Sequence, residues 1–457
     1  MNLKNIFSTL AFATLTILFL ILCTYNINVS RFTDWDESRH IVSALQMLED
    51  GNYIVNKWVS SVDMWNLKPP ISFWSLVISS KFFGNSLITM RVPSIISGMV
   101  LFILCSYILK TKYNKIASIV FMLLMLSCGR LITNHSFRTA DPDAIYLLLI
   151  VSAVVTLSLG HSTKKISTAA LLVSLAFLTK SWHASSIGFA FITAYLYQLK
   201  EKELNIKSFI YPAICIFTPI VIWLIARYQY DGFEFIKKMI DYDLLHRSST
   251  QIEGHITSKW FYFDILYTNY WLLLYAFASS FAVSIYSNGI KKTFTYDVNI
   301  LIVSIFTLFM FFTLAQTRLS WYGHPHTLLM CYATALLYGK SKKSWVIVLF
   351  LIFPASTLQL NASLKEISSY KLPDLYYQLS MINEKKDYPI NISSKVSQSE
   401  RATLMVYGGF SQPQIITTSK DKYYYLLEKK ENLLNKKDLN CKLLSSGQKE
   451  NIFICDN

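Results

Sequence analysis

Runs of roughly twenty apolar residues recur along this chain, and no other feature limits its possible folds so severely. A helix needs about that length to cross the roughly 30 Å of hydrocarbon in a bilayer, where the backbone must satisfy its own hydrogen bonds. The runs fall at about 6–25, 88–109, 116–134, 143–160, 167–180, 183–199, 208–226, 261–286, 298–316, 322–339 and 343–360. The fifth is short, as a broken or tilted helix would be. The first has too long an apolar core for a cleaved signal peptide and no A-x-A site after it, so it is expected to stay as a span. Only 16% of the 457 residues are charged, against about 25% in soluble domains, and the mean hydropathy is +0.36. An α-helical polytopic membrane protein with about eleven transmembrane helices follows.

The net charge of +15 would suit a nucleic-acid binder, but its placement argues otherwise. Lys110, Lys112 and Lys115 lie in one loop, Lys164 and Lys165 in another, and Lys200, Lys202 and Lys207 in a third. Lys291 and Lys292, then Lys340, Lys342 and Lys343, continue the series. Every second loop is thus lysine-loaded, which marks the cytoplasmic face and leaves no nucleic-acid partner to invoke. With Lys4 inside, an odd number of spans places the C-terminus outside. The arginines (Arg31, Arg39, Arg91, Arg130, Arg138, Arg227, Arg247, Arg318 and Arg401) all fall on or near the outer side. Guanidinium groups suit phosphate and carboxylate, so that face is expected to handle anions.

Past about residue 362 the apolar runs stop. "YPINISS", "RATLMVYGGF" and "PQIITTS" read as short strands and "KDKYYYLLEKKENLL" as a helix, giving a small α/β soluble domain outside the membrane. Cys441 and Cys455 flank a segment that reads as a hairpin, "KLLSSGQKENIFI", and are expected to pair in a compartment that permits disulfides. Cys23, Cys105, Cys128, Cys215 and Cys331 lie in apolar runs and read as small hydrophobes.

The outer loops carry the polar chemistry. "RFTDWDESRHIVSALQMLEDG" begins with Thr33 or Asp34 as a helix cap and Asp36 or Glu37 three residues on, a capping-box pattern. Asp36, Arg39 and His40 then share one helix face; Ile41, Ala44, Leu45 and Leu48 form an apolar stripe, and Gly51 ends the helix. An amphipathic helix on the membrane surface is expected. Lys68 precedes Pro69-Pro70 and a helix closed by Gly84, so it sits where an anion is favoured. In "NHSFRTADPDAIYLL", Asp141 is a natural N-cap, with Arg138 and Asp143 crowding the same mouth. Lys180 in "LAFLTKSWHA" is flanked by apolar runs and needs a partner, which an anionic ligand or Asp141 would supply. "LAQTRLSWYGHPH" sets Arg318 beside aromatics, His324 and His326; "LLHRSSTQIEGHITSKW" adds Arg247, His255 and Lys259.

In this order the segments resemble a known family. "DWDESRHIVSALQMLEDGNYIV" resembles the D-E-x-R-Y-A start of the polyprenyl-phosphate-dependent glycosyltransferases of GT-C fold. Protein O-mannosyltransferases and the aminoarabinose transferase of lipid A are among them. "LKPPISFWSLVISSKFFGNSLITMRVPS" is similar to their K-P-P…W…F-G…A-R-L segment, and "TADPDAIYLLL" to their second acidic motif. "LAFLTKSWHA" resembles L-T-K-G, and "TRLSWYGHPH" resembles T-K-L-x-x-Y-x-L-P, so the likeness runs over about residues 30–330. His40 stands where Tyr is usual, and Leu67 replaces an acidic residue that precedes Lys-Pro in some relatives.

The resemblance implies a GT-C transmembrane catalytic domain over 1–361 and a soluble extracytoplasmic domain over 362–457. It makes Asp36 and Asp141 catalytic, with Lys68, Lys180, Arg318, Tyr322 and Arg138 on the donor phosphate and Glu37, Arg39, His40 and His255 in support. A sugar would pass with inversion from polyprenyl phosphate to lipid A, another glycan or a protein, at the outer side of the inner membrane. The donor carries its own leaving group, so one general base, Asp36, suffices. No cofactor is required by this scheme, and a divalent cation is left open. The rival reading is a transporter or flippase for an anionic polyprenyl-linked lipid. Transporters tend to show internal repeats and mid-membrane charges, whereas these residues hug one face.

Overall fold

The computed structural model describes residues 3–59, 61–251, 258–341, 344–382, 388–392, 396–410, 414–415, 423–430 and 440–456. Its membrane part is helical, as the apolar runs require. Ser8–Val29, Leu87–Lys112, Lys207–Asp231 and Tyr296–Leu314 are long and apolar enough to cross a bilayer. The shorter helices Lys115–Ser127, Asp143–Ser158 and His324–Gly339 pack among them and supply much of the core. His324–Gly339 is buried at every position from His324 to Tyr338, as expected of a helix that is apolar all round.

Two expected spans are interrupted. The run over 116–134 stops at Ser127 and restarts as the short helix Gly129–Thr133. The run over 261–286 is not one span: Phe261–Asn269 and Trp271–Asn288 meet at Tyr270 with a bend of 95°. Apolar composition alone carries no record of such a bend, because both arms are apolar on their own account. The helix Phe353–Ser368 continues through the expected domain boundary at 361/362.

The first outer loop holds helices Asp36–Asp50 and Ile71–Phe83, joined through a two-stranded hairpin, Lys57–Trp58 against Ser61–Val62. Gly51 and Gly84 end the two helices at positive φ, 67° and 73°, which glycine adopts without strain. The Asp36–Asp50 helix is not the half-exposed surface helix that its pattern suggests. Residues Glu37 to Met47 are all buried except Arg39, because a second structure covers them. Ile41, Val42 and Leu45 pack with Phe73 and Leu76 of the neighbouring helix and with Ala402, Met405 and Val406 of the C-terminal region.

That region is a five-stranded sheet in the order Gln414–Ile415, Ile390–Ile392, Tyr423–Lys429, Glu450–Asp456, Asn440–Ser446. The first three strands are parallel and the last two antiparallel, with Tyr425 opposite Ile390 on one side and Ile454 on the other. Helices Asp374–Ser380 and Gln398–Val406 cover one face through Leu375, Leu379 and Leu404. Two sequence expectations are corrected here. "RATLMVYGGF" contributes a helix, started by the capping box of Ser397 and Glu400, and "YYYLLEK" a strand. Residues 423–429 are buried at five successive positions, so the aromatic and branched side chains fill both faces of a central strand. Cys441 and Cys455 lie opposite each other in the terminal hairpin and form a disulfide. The domain is tied to the first loop: Ser399 N–H donates to Asp34 Oδ1 and Ser399 Oγ to the Phe32 carbonyl, each at 2.7 Å.

Candidate active site

The first outer loop supplies one carboxylate and fixes another. Asp36 is the first residue of its helix, and its side chain is 28% exposed. The preceding Trp35 has φ 68° and ψ −110° and makes no side-chain cap, so the expected capping box does not form. A bulky residue in that region is strained. Ser181, which follows Lys180, and His135 share positive φ, at 52° and 49°. Strain of this kind collects at sites where the surrounding structure over-determines the backbone.

Glu37 is used for architecture. It is wholly buried and accepts from Arg91 Nε at 2.7 Å and Arg91 Nη2 at 3.2 Å. Thr33 N–H at 2.7 Å, Thr33 Oγ1 at 3.1 Å and Ala140 N–H at 3.0 Å complete its shell. Arg91 also donates to the carbonyls of Ile27, Ser30 and Arg31. One ion pair therefore clamps the end of the first span, the first loop and the second loop together, with Ala140 adjoining Asp141.

Arg39 and His40 follow Asp36 on one face but take different partners. Arg39 makes a bidentate pair with Asp63 at 2.7 Å and lies over the Trp58 and Trp65 rings. His40 stacks on Phe73 and contacts Ser72 Oγ at 3.2 Å and the Asp36 carbonyl at 3.0 Å. Burial lowers its pKa to about 4, against the opposing pull of Asp36 and Asp141. It is a neutral ring at physiological pH.

The second outer loop brings the other carboxylate. The helix after it begins at Asp143, and Pro142 makes no side-chain cap, so Asp141 does not serve as the N-cap its position suggests. It is 3% exposed, and neither oxygen accepts an aligned hydrogen bond. His135, a residue that sequence reasoning passed over, fills the gap. Its Nδ1 lies 3.2 Å from Asp141 Oδ2 and 3.9 Å from Asp36 Oδ2, with the ring stacked 3.7 Å from Trp321. Burial opposes a charge on His135, but Asp141 and then Asp36 outweigh it and raise the pKa to about 9. The same contact holds Asp141 below its ordinary range despite burial. The loop is seated by Phe137 against Gly98, where any Cβ would come within 2.7 Å of the ring.

Cations gather on the other side of the pocket. Lys68 Nζ lies 3.5 Å from Asp243 Oδ1, its side chain 10% exposed; desolvation lowers its pKa and Asp243 opposes the shift. Asp243 also meets Arg247 at 3.7 Å and accepts from Ser181 Oγ at 2.7 Å. Burial would raise the Asp243 pKa, but Lys68 and Arg247 bring it down to about 2. Asp243 and Arg247 belong to a π-helical turn, Met239–His246, and its continuation, a departure from α-geometry often found at functional sites. Arg247 donates to Tyr322 OH at 3.1 Å. Lys180 lies 4.9 Å above the Tyr322 ring and pairs with Asp143, not with Asp141. Asp243, Arg247 and Tyr322 line a cavity of about 280 Å³ with Trp182, His183 and Phe312. Trp182 also lines an apolar cavity of about 890 Å³ with Phe177, Phe191, Phe209, Ile216 and Ile220.

The remaining arginines are mostly structural, which corrects the view of an outer face given over to anions. Arg138 donates to the Leu22 and Tyr25 carbonyls at the end of the first span, and Arg227 pairs with Asp231. Arg318 Nε donates to the Thr313 carbonyl, while Arg247 takes the place beside Tyr322 expected of it. Carbonyls at a helix end are natural partners for guanidinium, and sequence spacing does not show which arginine reaches them. His324 Nε2 donates to the Asn134 carbonyl at 2.8 Å, and neither it nor His326 joins a metal-binding group among the described residues. His255 lies outside the described residues.

Comparison with known proteins fits this architecture. Residues 67–226 match the family model of dolichyl-phosphate-mannose-protein mannosyltransferase. An uncharacterized protein of Aquifex aeolicus (strain VF5) is 24% identical over 271 residues, or 58% of this chain; the match spans about half, 52%, of that relative. The crystal structure of ArnT from Cupriavidus metallidurans bound to undecaprenyl phosphate superposes with a TM-score of 0.74 at 11% identity, covering 98% of this chain and 97% of that one. Its apo state gives 0.73 at 10% identity over 99% and 98%. The chain is a multi-pass membrane protein of the GT-C fold, and its residues 67–226 match the mannosyltransferase family model.

Proposed function

We propose that this protein is a membrane glycosyltransferase that moves a sugar from polyprenyl phosphate to an envelope acceptor, a lipid A, another glycan or a protein. The observation that carries the reading is a partly exposed carboxylate, Asp36, within electrostatic range of Lys68, whose partner Asp243 lines a pocket that shares Trp182 with an apolar cavity. A phosphate headgroup on an isoprenoid chain suits that pairing of charge and grease. The undecaprenyl phosphate in the similarly folded ArnT structure supports the same donor class.

In the reaction the acceptor oxygen bonds to the anomeric carbon as the bond from that carbon to the phosphate oxygen breaks. The carbon inverts, the acceptor's proton passes to Asp36, and polyprenyl phosphate departs without needing a proton. Lys68 and Arg247, with Lys180 at Tyr322, counter the charge that grows on the phosphate; they are fixed beforehand by Asp243 and Asp143. Residues 1–361 form the catalytic membrane unit and 362–457 an extracytoplasmic domain that braces the Asp36 helix. The site faces the periplasmic side of the inner membrane, in keeping with the lysine-rich alternate loops.

The test is Asp36→Asn, assayed in membranes supplied with polyprenyl-phosphate-linked sugars. Loss of a positioned general base lowers turnover by about 10²–10⁴-fold, and undiminished turnover would rule Asp36 out. Mass analysis of envelope glycolipids with and without the protein would identify sugar and acceptor together.

A further inference from the structure

We propose that Trp35 is a stacking platform for a sugar ring, holding the ring's C–H face while the next residue, Asp36, meets one of its polar groups. Trp35 is 54% exposed, which alone would mean little, since single apolar side chains are common on surfaces. It is also held at φ 68° and ψ −110°, a conformation that any residue with a Cβ resists. Trp260 makes the contrast: it is 71% exposed but keeps an ordinary φ of −90°, as an aromatic anchor at a membrane surface can. An interfacial anchor needs no backbone strain. Strain that persists beside a reactive group points to a functional demand on that residue.

The ring is braced from within the loop. Its centroid lies 5.4 Å from that of Trp65, and Arg39 lies between Trp65 and Trp58, 4.5 Å and 4.6 Å from their centroids. Asp63 fixes this ladder by accepting two hydrogen bonds of 2.7 Å from Arg39 and one of 3.0 Å from the Trp65 N–H. Trp35 is the outermost rung. Among the described residues no ring other than Trp65 stacks on it, and its indole N–H has no hydrogen-bond partner. An aromatic face is electron-rich, so it attracts the weakly positive C–H groups of a pyranose, and the free N–H can donate to a hydroxyl. The Cα atoms of Trp35 and Asp36 are about 3.8 Å apart across their peptide bond, less than the width of such a ring. One sugar can therefore touch both residues. This deepens the transferase reading and rests on it for the sugar's source, the donor or the acceptor.

The experiment compares full-length protein with Trp35→Gly and Trp35→Phe by calorimetric binding in lipid nanodiscs. Glycine takes up this backbone conformation freely, so Trp35→Gly removes the ring and the strain together. One arm sets undecaprenyl phosphate carrying a single mannose against undecaprenyl phosphate alone; the other sets lipid A against phosphatidic acid. In one arm the sugar-bearing lipid should bind more tightly than its sugar-free counterpart, and that arm identifies the source. The preference should fall about two- to tenfold in Trp35→Gly and be largely kept in Trp35→Phe, which still offers a face. The melting temperature of Trp35→Gly should hold or rise, because the strain goes with the ring. Three results would overturn the proposal: no sugar preference in either arm, equal weakening of both members of a pair as for a membrane anchor, or a preference lost only together with melting temperature. These measurements involve no turnover, so their failure is distinct from failure of the Asp36→Asn transfer assay.

Discussion

Glu37→Gln gives the sharpest test of how the two outer loops are held together. The side chain keeps its shape, but one oxygen becomes an NH₂ group. If Oε1 is replaced, the amide confronts Arg91 Nε and the Ala140 N–H; if Oε2, it confronts Thr33 N–H, Thr33 Oγ1 and Arg91 Nη2. Either orientation sets donor against donor and leaves the Arg91 guanidinium, fully buried, without its counter-ion. Breaking such a pair costs about 3–5 kcal/mol. In a chain of this size that corresponds to a fall in apparent melting temperature of roughly 3–10 °C. Scanning fluorimetry in detergent measures it, and transfer should fall as well, since Ala140 adjoins Asp141. The double variant Glu37→Gln, Arg91→Met should lose less than the sum of the singles, by about 1–3 kcal/mol of coupling. A melting temperature within about 1 °C of the unsubstituted protein would refute the clamp.

His40→Gln should change the acid limb of stability. Below an ordinary pKa of 6.5 the unfolded chain takes up a proton at His40, and the folded chain does not until about pH 4. Stability from this group is thus full above pH 6.5 and lost as pH falls towards 4, by about 3 kcal/mol in all. Melting at pH 5 relative to pH 7 should drop less in His40→Gln; an identical drop would show that the ring is charged in the fold. Lys68→Met removes a cation while Asp243 keeps Arg247 and Ser181. Binding of polyprenyl phosphate should weaken about tenfold or more, as for loss of a charge-assisted contact. Unchanged affinity would move the phosphate away from Lys68.

Much of the membrane architecture was legible in the chain. Long apolar runs became helices near their expected limits, and Gly51 and Gly84 ended helices as their backbone freedom allows. The signals failed where two readings share one composition. "YYYLLEK" suits a helix by its leucines and a strand by its aromatics, and only a place in the middle of a sheet chose the strand. The Asp36–Asp50 pattern reads as half-exposed because the C-terminal helix that covers it is more than 300 residues away in sequence.

The site divides in the same way. Asp36, Lys68, Asp141 and Lys180 could be singled out because a charge beside an apolar run is costly and so needs a reason. Their partners could not. Nothing local marks the roles of His135, Asp243 and Arg91, which meet Asp36, Lys68 and Glu37 from tens to hundreds of positions away in the chain. Local composition determined which segments enter lipid, since each helix satisfies its own backbone wherever it goes. Only the tertiary structure decided which charge answers which, because ion pairing depends on separation in space, and chain order does not set that separation.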